Sequence, residues 1–169
     1  MSHPLILALF ESPAAAVDAA RAVRALGVPA AQLSVVARTH RDEGELASRA
    51  GGTPGAEIED SRRAGWLAEL GAQLVALVAV VLPGIGTIVT AGPLAAEAGE
   101  AAGHLAGGVD HLLARAGVGD AHARGWQERV RAGAVLLGVH TSDTDVDHVR
   151  QTLLAHRPSD LTLARWDGE

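Results

Sequence analysis

The chain has 169 residues, a length that fits one domain of ordinary size burying about 70% of its unfolded surface. Hydrophobic residues make up 48% and aromatics 2% (Phe10, Trp66, Trp126 and Trp166), so the core has to be built from Ala, Val, Leu and Ile. A net charge of −6 excludes the basic footprint of a general nucleic-acid binder, and the lack of cysteine excludes disulfides, thiolate catalysis and Cys-zinc sites.

Residues 5–10 form a short apolar run that lacks the cationic region and length of a signal peptide and reads as a first strand. Glu11-Ser12-Pro13 follows, with Ser as N-cap and Pro at the first helical position. Val17, Ala20 and Val23 recur at helical spacing, Gly27 suits a helix C-terminus, and Leu33 to Ala37 reads as a second strand. The opening unit over 1–37 is therefore βαβ. Residues 38–63 are charged and glycine-rich, with the marks of an exposed loop.

From Leu70 through Ala96 the chain carries no Asp, Glu, Lys or Arg. The spacing predicts an inserted apolar helical hairpin over 64–116, with a first helix over Ala64–Val81 and a second from Pro93 to about Arg115. The break between them, and the hairpin turn, falls on Pro83, Gly84, Gly86, Gly92 and Pro93. Ala91, Ala95, Gly99, Gly103 and Gly107 recur every four residues and would form a small-residue seam for close helix packing, with Leu70, Leu74, Leu77 and Val81 of the first helix over it. A membrane-spanning hairpin is disfavoured by Glu69, Glu97, Glu100, His104 and Asp110, each ionised group costing roughly 3 kcal/mol at a helix centre.

A connecting helix over 118–132 begins near Asp120 as N-cap and turns Trp126 and Val130 inward. The closing unit over 133–169 repeats the opening pattern. Ala134 to Val139 is a strand, Ser142 and Asp145 resemble a capping box, Val146, Val149, Leu153 and Leu154 give a helix its apolar face, and Leu161 to Trp166 is a last strand. The expected fold is α+β: a ferredoxin-like split βαβ antiparallel sheet, a single domain interrupted by the hairpin.

The βαβ opening, the segment Pro83-Gly84-Ile85-Gly86-Thr87-Ile88-Val89-Thr90-Ala91-Gly92-Pro93-Leu94-Ala95, and the helix leading into Gly133-Ala134-Val135-Leu136-Leu137 resemble the bacterial general-stress and heat- or low-temperature-induced proteins. The resemblance is sharpest over 83–95. It implies a stress-linked, non-enzymatic protein and supplies no catalytic residues.

Glu97, Glu100, His104 and His111 fall on one face of the second hairpin helix and are the weak metal candidates, but their spacing departs from the Glu-x-x-His di-iron pattern, so a solvated face is the reading and no metal or cofactor is expected. Asp143, Asp145 and Asp147 lack the glycine and glutamate of a calcium loop and read as helix-capping acids. Gly84-Ile85-Gly86 lacks the Lys-Ser/Thr of a phosphate loop, and His140 and His148 read as surface histidines without a serine or acid to complete a triad. The expected function is non-catalytic, through self-association or contact with a protein or membrane surface by the apolar hairpin. The alternatives are a small-ligand-binding regulatory module and a His/carboxylate metal-binding protein. A homo-oligomer, most simply a dimer, is expected, in the cytoplasm, with membrane association as the alternative and no nucleic-acid partner.

Overall fold

A computed structural model describes residues 2–38, 65–66, 68–70, 72–74, 78–82, 86–94 and 108–167. These form a mixed α+β structure around one antiparallel sheet. Strands β1 (His3–Phe10), β2 (Leu33–Arg38), β3 (Val78–Leu82), β4 (Gly86–Ala91), β5 (Val135–His140) and β6 (Asp160–Trp166) lie in the order β3-β4-β2-β5-β1-β6. Helix α1 (Pro13–Ala25) joins β1 to β2, α2 (Val109–Arg115) and α3 (Asp120–Arg131) precede β5, and α4 (Val146–Ala155) joins β5 to β6.

Local chemistry sets these boundaries. The Ser12 hydroxyl accepts the Ala15 amide at 3.4 Å and Pro13 occupies the first turn, so α1 starts where an orphan donor is satisfied. It ends at Gly27, whose φ of 95° is left-handed. Ala16, Val17, Ala19, Ala20 and Val23 form its buried stripe. Gly117, at φ 86°, turns the chain between α2 and α3, and the Asp110 amide donates to the Gln127 side chain at 3.0 Å across the pair. In α3, Trp126 and Val130 are buried, as their spacing predicts.

Strand alternation divides the core into two layers. Ile6, Ala8, Phe10, Val35, Leu137 and Val139 face α1 and α4, where Val149 and Leu153 are the buried residues of α4. Leu5, Leu7, Leu9, Val36 and Leu136 face α2 and α3. Both faces of the central strands are thus covered, and β1, β2 and β5 are apolar almost throughout. Leu154, expected on the apolar face of α4, is instead 47% exposed.

The middle of the chain departs from the expected helical hairpin. Residues 65–66 and 68–70 are helical, with Leu70 and Leu74 buried against the α1 layer, but Val78–Leu82 and Gly86–Ala91 are strands paired from Leu82↔Gly86 to Val78↔Thr90. The reason is residue type. Val78, Val80, Val81, Thr87, Ile88, Val89 and Thr90 are β-branched and fit a pleated surface better than a helix. A continuous apolar run carries no periodicity to distinguish the two. Helical structure returns at Pro93 and, after the undescribed 95–107, at Val109. The expected loop lies outside the described residues from position 39 onward; Arg38 itself ends β2.

Candidate functional site

The apolar segment is where the sequence placed the function, and the fold converts it into a two-stranded ribbon. β4 pairs with β2 over Val35↔Ala91 to Arg38↔Ile88, and β3 pairs with β4, so among the described residues β3 is an edge of the sheet. Its residues read Val-Ala-Val-Val-Leu, with no charge and no proline. Natural edges usually carry such devices against pairing with another chain.

Three contacts fasten the ribbon. Gly92, at φ 73°, passes so close to the Leu33 carbonyl that a Cβ there would overlap it, which demands glycine on two counts. Beyond it, the Leu94 amide donates to Ser34 Oγ at 3.3 Å. Leu94 then lies over Gly138, where an added Cβ would meet Leu7, Leu94 and Ser34 side-chain atoms, each at 3.3 Å. The absent side chain of Gly138 is the space Leu94 uses. Thr90, fully buried on β4, has a hydroxyl with no hydrogen-bond partner among the described residues.

Ser34 also begins a polar chain across the sheet. Its Oγ lies 3.3 Å from Nε2 of His140, and Nδ1 of His140 lies 2.9 Å from Nε2 of His3. Trp166 stands edge-on to His140 with ring centroids 5.4 Å apart. Burial, together with the neighbouring His3, pushes the His140 pKa down to about 4. The neutral ring has one donor and one acceptor nitrogen, enough to bridge a hydroxyl and a second imidazole.

This corrects the surface reading of His140, which is 3% exposed, and supplies the serine thought to be missing. The Ser34–His140–His3 sequence has the connectivity of nucleophile, base and orienting group. Its burial argues against catalysis, since Ser34 is wholly buried between strands and an imidazole held near pKa 4 is a poor base at neutral pH. It clasps β1, β2 and β5 and, through the Leu94 amide, the segment that follows β4. His148 is exposed on α4 and takes no part.

A second polar cluster anchors the other edge. Asp160 Oδ2 accepts from Trp126 Nε1 at 2.8 Å and contacts His122 Nε2 at 2.7 Å, while its Oδ1 accepts the Leu161 amide at 2.9 Å. Burial raises the Asp160 pKa, but the hydrogen bonds from Trp126 and His122, the His122 charge and the Leu161 amide outweigh it and hold the carboxyl below its ordinary value.

Of the expected seam, Ala91 ends β4 and is a strand residue, so it cannot belong to a helical ridge; Ala95, Gly99, Gly103 and Gly107 lie outside the described residues. Of the expected turn, Pro83 and Gly84 lie outside them, Gly86 opens β4, and Gly92 with Pro93 leads from β4 into the next helical turn. Glu97, Glu100 and His104 also lie outside, while His111 is exposed on α2. Among the described residues no three His, Cys, Asp or Glu side chains are grouped to hold a metal ion. Asp143 pairs with Arg165 at 2.9 Å, and Asp145 bonds the Ser142 hydroxyl rather than capping α4.

The residues that sequence reasoning missed are Ser34, His3, Asp160 and His122. A polar residue inside an apolar strand, as at Ser34 and His140, is the one signal that could have flagged the clasp. Among the described residues no helix is long and apolar enough to cross a membrane. No known protein family, curated protein or solved structure matches the chain.

Proposed function

We propose that this chain is a non-catalytic, stress-associated protein that works through self-association, with the β3–β4 ribbon as its contact surface. The observation that carries this reading is an edge strand of five apolar residues, Val78–Leu82, with no charge to prevent strand pairing. A second copy is the natural partner. Two identical β3 edges related by a two-fold axis pair antiparallel and satisfy each other's backbone groups, leaving the charge-bearing β6 strands outermost, so the assembly closes as a dimer. The central four strands, ordered β2-β5-β1-β6 with α1 and α4 on one face, fit a ferredoxin-like split βαβ arrangement, to which the ribbon adds the associating edge. The stress association rests on the resemblance, sharpest over residues 83–95, and a cytoplasmic site of action on the lack of cysteine.

The test is the solution mass of the full chain by light scattering, for the wild type and for Val80→Lys. The expected results are a dimer at micromolar concentration and a monomer with an unchanged circular dichroism spectrum for the variant. A wild type that stays monomeric at high micromolar concentration refutes self-association. A Val80→Lys variant that remains dimeric assigns the contact elsewhere.

A further inference from the structure

The buried polar chain that ends on Leu94 has one arrangement of its protons that satisfies every member. The Leu94 amide donates to Ser34 Oγ at 3.3 Å, so that oxygen accepts on one side. Ser34 is wholly buried, and the acceptor its hydroxyl proton meets among the described residues is Nε2 of His140, at 3.3 Å. His140 therefore carries its own proton on Nδ1 and donates it to Nε2 of His3, 2.9 Å away. All the hydrogen bonds then run in one direction, from Leu94 toward His3.

One added proton reverses that direction, wherever it enters. On Nε2 of His140 it occupies the atom that accepts from Ser34. On Nε2 of His3, half-buried at the start of β1, it meets the Nδ1 proton of His140, so His140 has to carry its proton on Nε2 instead. Both routes end with His140 donating to Ser34 Oγ. The Ser34 hydroxyl proton then has no acceptor among the described residues, which is costly in a buried site.

The cost falls on the member held least firmly. His3, His140 and Ser34 sit in paired strands, at His3↔Trp166, Leu5↔His140 and Ser34↔Gly138. Leu94 lies beyond the last pair of β2 with β4, Val35↔Ala91. If it leaves its place over Gly138, Ser34 opens to water, which can take the hydroxyl proton.

The surroundings leave this chemistry to the two imidazoles. From β6 the Trp166 ring stands edge-on to His140, Arg165 is paired with Asp143, and Asp167 is exposed. The buried residues of α2 and α3 are apolar, Asp110 holds the His111 amide, and His111 and Arg115 are exposed. Burial and the charge of His3 keep His140 neutral until the pH falls toward about 4.

We propose that the chain from His3 to Ser34 is a proton-operated latch on the β3–β4 ribbon: the first proton taken up by the two imidazoles reverses the chain and releases Leu94. Neutral, the latch holds the exit of β4 against the sheet. Protonated, it leaves the ribbon attached through its pairing with β2. The latch concerns how the ribbon is held, and it does not depend on self-association.

The test follows the ¹⁵N-labelled full chain by NMR between about pH 7 and about pH 4. Imidazole ¹⁵N spectra are expected to show Nε2 of His140 bare at the upper end and protonated at the lower. Hydrogen-exchange protection of the Leu94 amide is expected to fall about tenfold or more over this range, before that of Leu137 in β5 falls. His140→Gln can accept from Ser34 and donate to His3 but cannot titrate, so it should hold Leu94 protection level. The wild-type spectra decide the matter even if that variant does not fold. A proton on Nε2 of His140 at the upper end overturns the latch, as does a His3 that becomes charged while that nitrogen stays bare. Loss of Leu94 protection only together with Leu137, or an undiminished pH response in His140→Gln, overturns it equally.

Discussion

The two edges of the sheet are built on opposite plans. Among the described residues β6 pairs only with β1, yet it carries Asp160 and Arg165, which are held by Trp126 and His122 at one end and by Asp143 at the other. Its inward residues Ala164 and Trp166 are buried, and Leu163, 54% exposed, is its one large apolar side chain in solvent. Among the described residues β3 pairs only with β4, and its five residues are all apolar. Charge fixed by α3 and by the turn before α4 marks β6 as an end of the structure, whereas β3 is the edge proposed to pair with another strand. The same antiparallel sheet thus has one closed and one open side, and the asymmetry can be attacked from either.

The largest effect is expected at the closed edge. Trp126→Ala removes a fully buried ring and leaves Asp160 without one of its donors, so unfolding by denaturant should show a loss of roughly 3–5 kcal/mol. A loss under about 1 kcal/mol would mean that α3 does not anchor β6.

Next comes the clasp that joins the two halves of the sheet. His140 has its pKa lowered by burial to about 4, so the unfolded chain binds a proton at higher pH than the folded one. Its contribution to stability is complete above the ordinary histidine pKa of about 6.5 and is lost as pH falls toward 4. The loss should reach at most about 1.4 kcal/mol per pH unit in that window. Asp160, also lowered, adds a loss at still more acid pH, as the pH falls through its depressed pKa. His140→Leu should flatten the slope between pH 6.5 and 4 relative to wild type; equal slopes in the two proteins would remove His140 as the cause.

What the sequence made legible follows the same division. The outer units were readable because each rested on two independent signals. Ser12-Pro13 coincides with the Val17, Ala20, Val23 stripe, and all five take their expected places; Trp126 and Val130 are buried as expected, while Asp120, expected as N-cap, is the first residue of α3 with Gly119 before it as cap. In the middle only apolarity spoke, and the every-fourth-residue spacing from Ala91 through Gly107 suggested a helix. Ala91 instead belongs to a run of β-branched residues that pairs with β2. The clasp was illegible for another reason. His3, Ser34 and His140 are far apart in the chain, and only the register, with Leu5 opposite His140 and Ser34 opposite Gly138, brings them together. Pattern within an element is local, whereas register between elements is decided by the packing of the whole face.

A smaller loss is expected where the open edge is attached. Gly92→Ala places a Cβ on the Leu33 carbonyl at a left-handed backbone position, which should cost about 2–3 kcal/mol. Because Gly92 lies between β4 and Leu94, the strain should loosen the ribbon first. Hydrogen exchange would then rise at Val78–Leu82 and Gly86–Ala91 before it rises in β1 or β5. Uniform acceleration across all six strands would show instead that the ribbon unfolds only with the whole sheet.

The smallest effect is the sharpest discriminator between the edges. Leu163→Lys adds a charge to β6 at a half-exposed position, where surface substitutions change stability by no more than about 0.5 kcal/mol. If β6 is a closed edge, the added lysine should leave the solution mass unchanged, whereas the same residue type at Val80 should halve it. A dimer split by Leu163→Lys would place the contact on β6, and the apolarity of β3 would then have to be explained by cover from within the chain. An unchanged mass, set against a halved one for Val80→Lys, would make the distribution of charge along the two edge strands the property that decides where this protein associates.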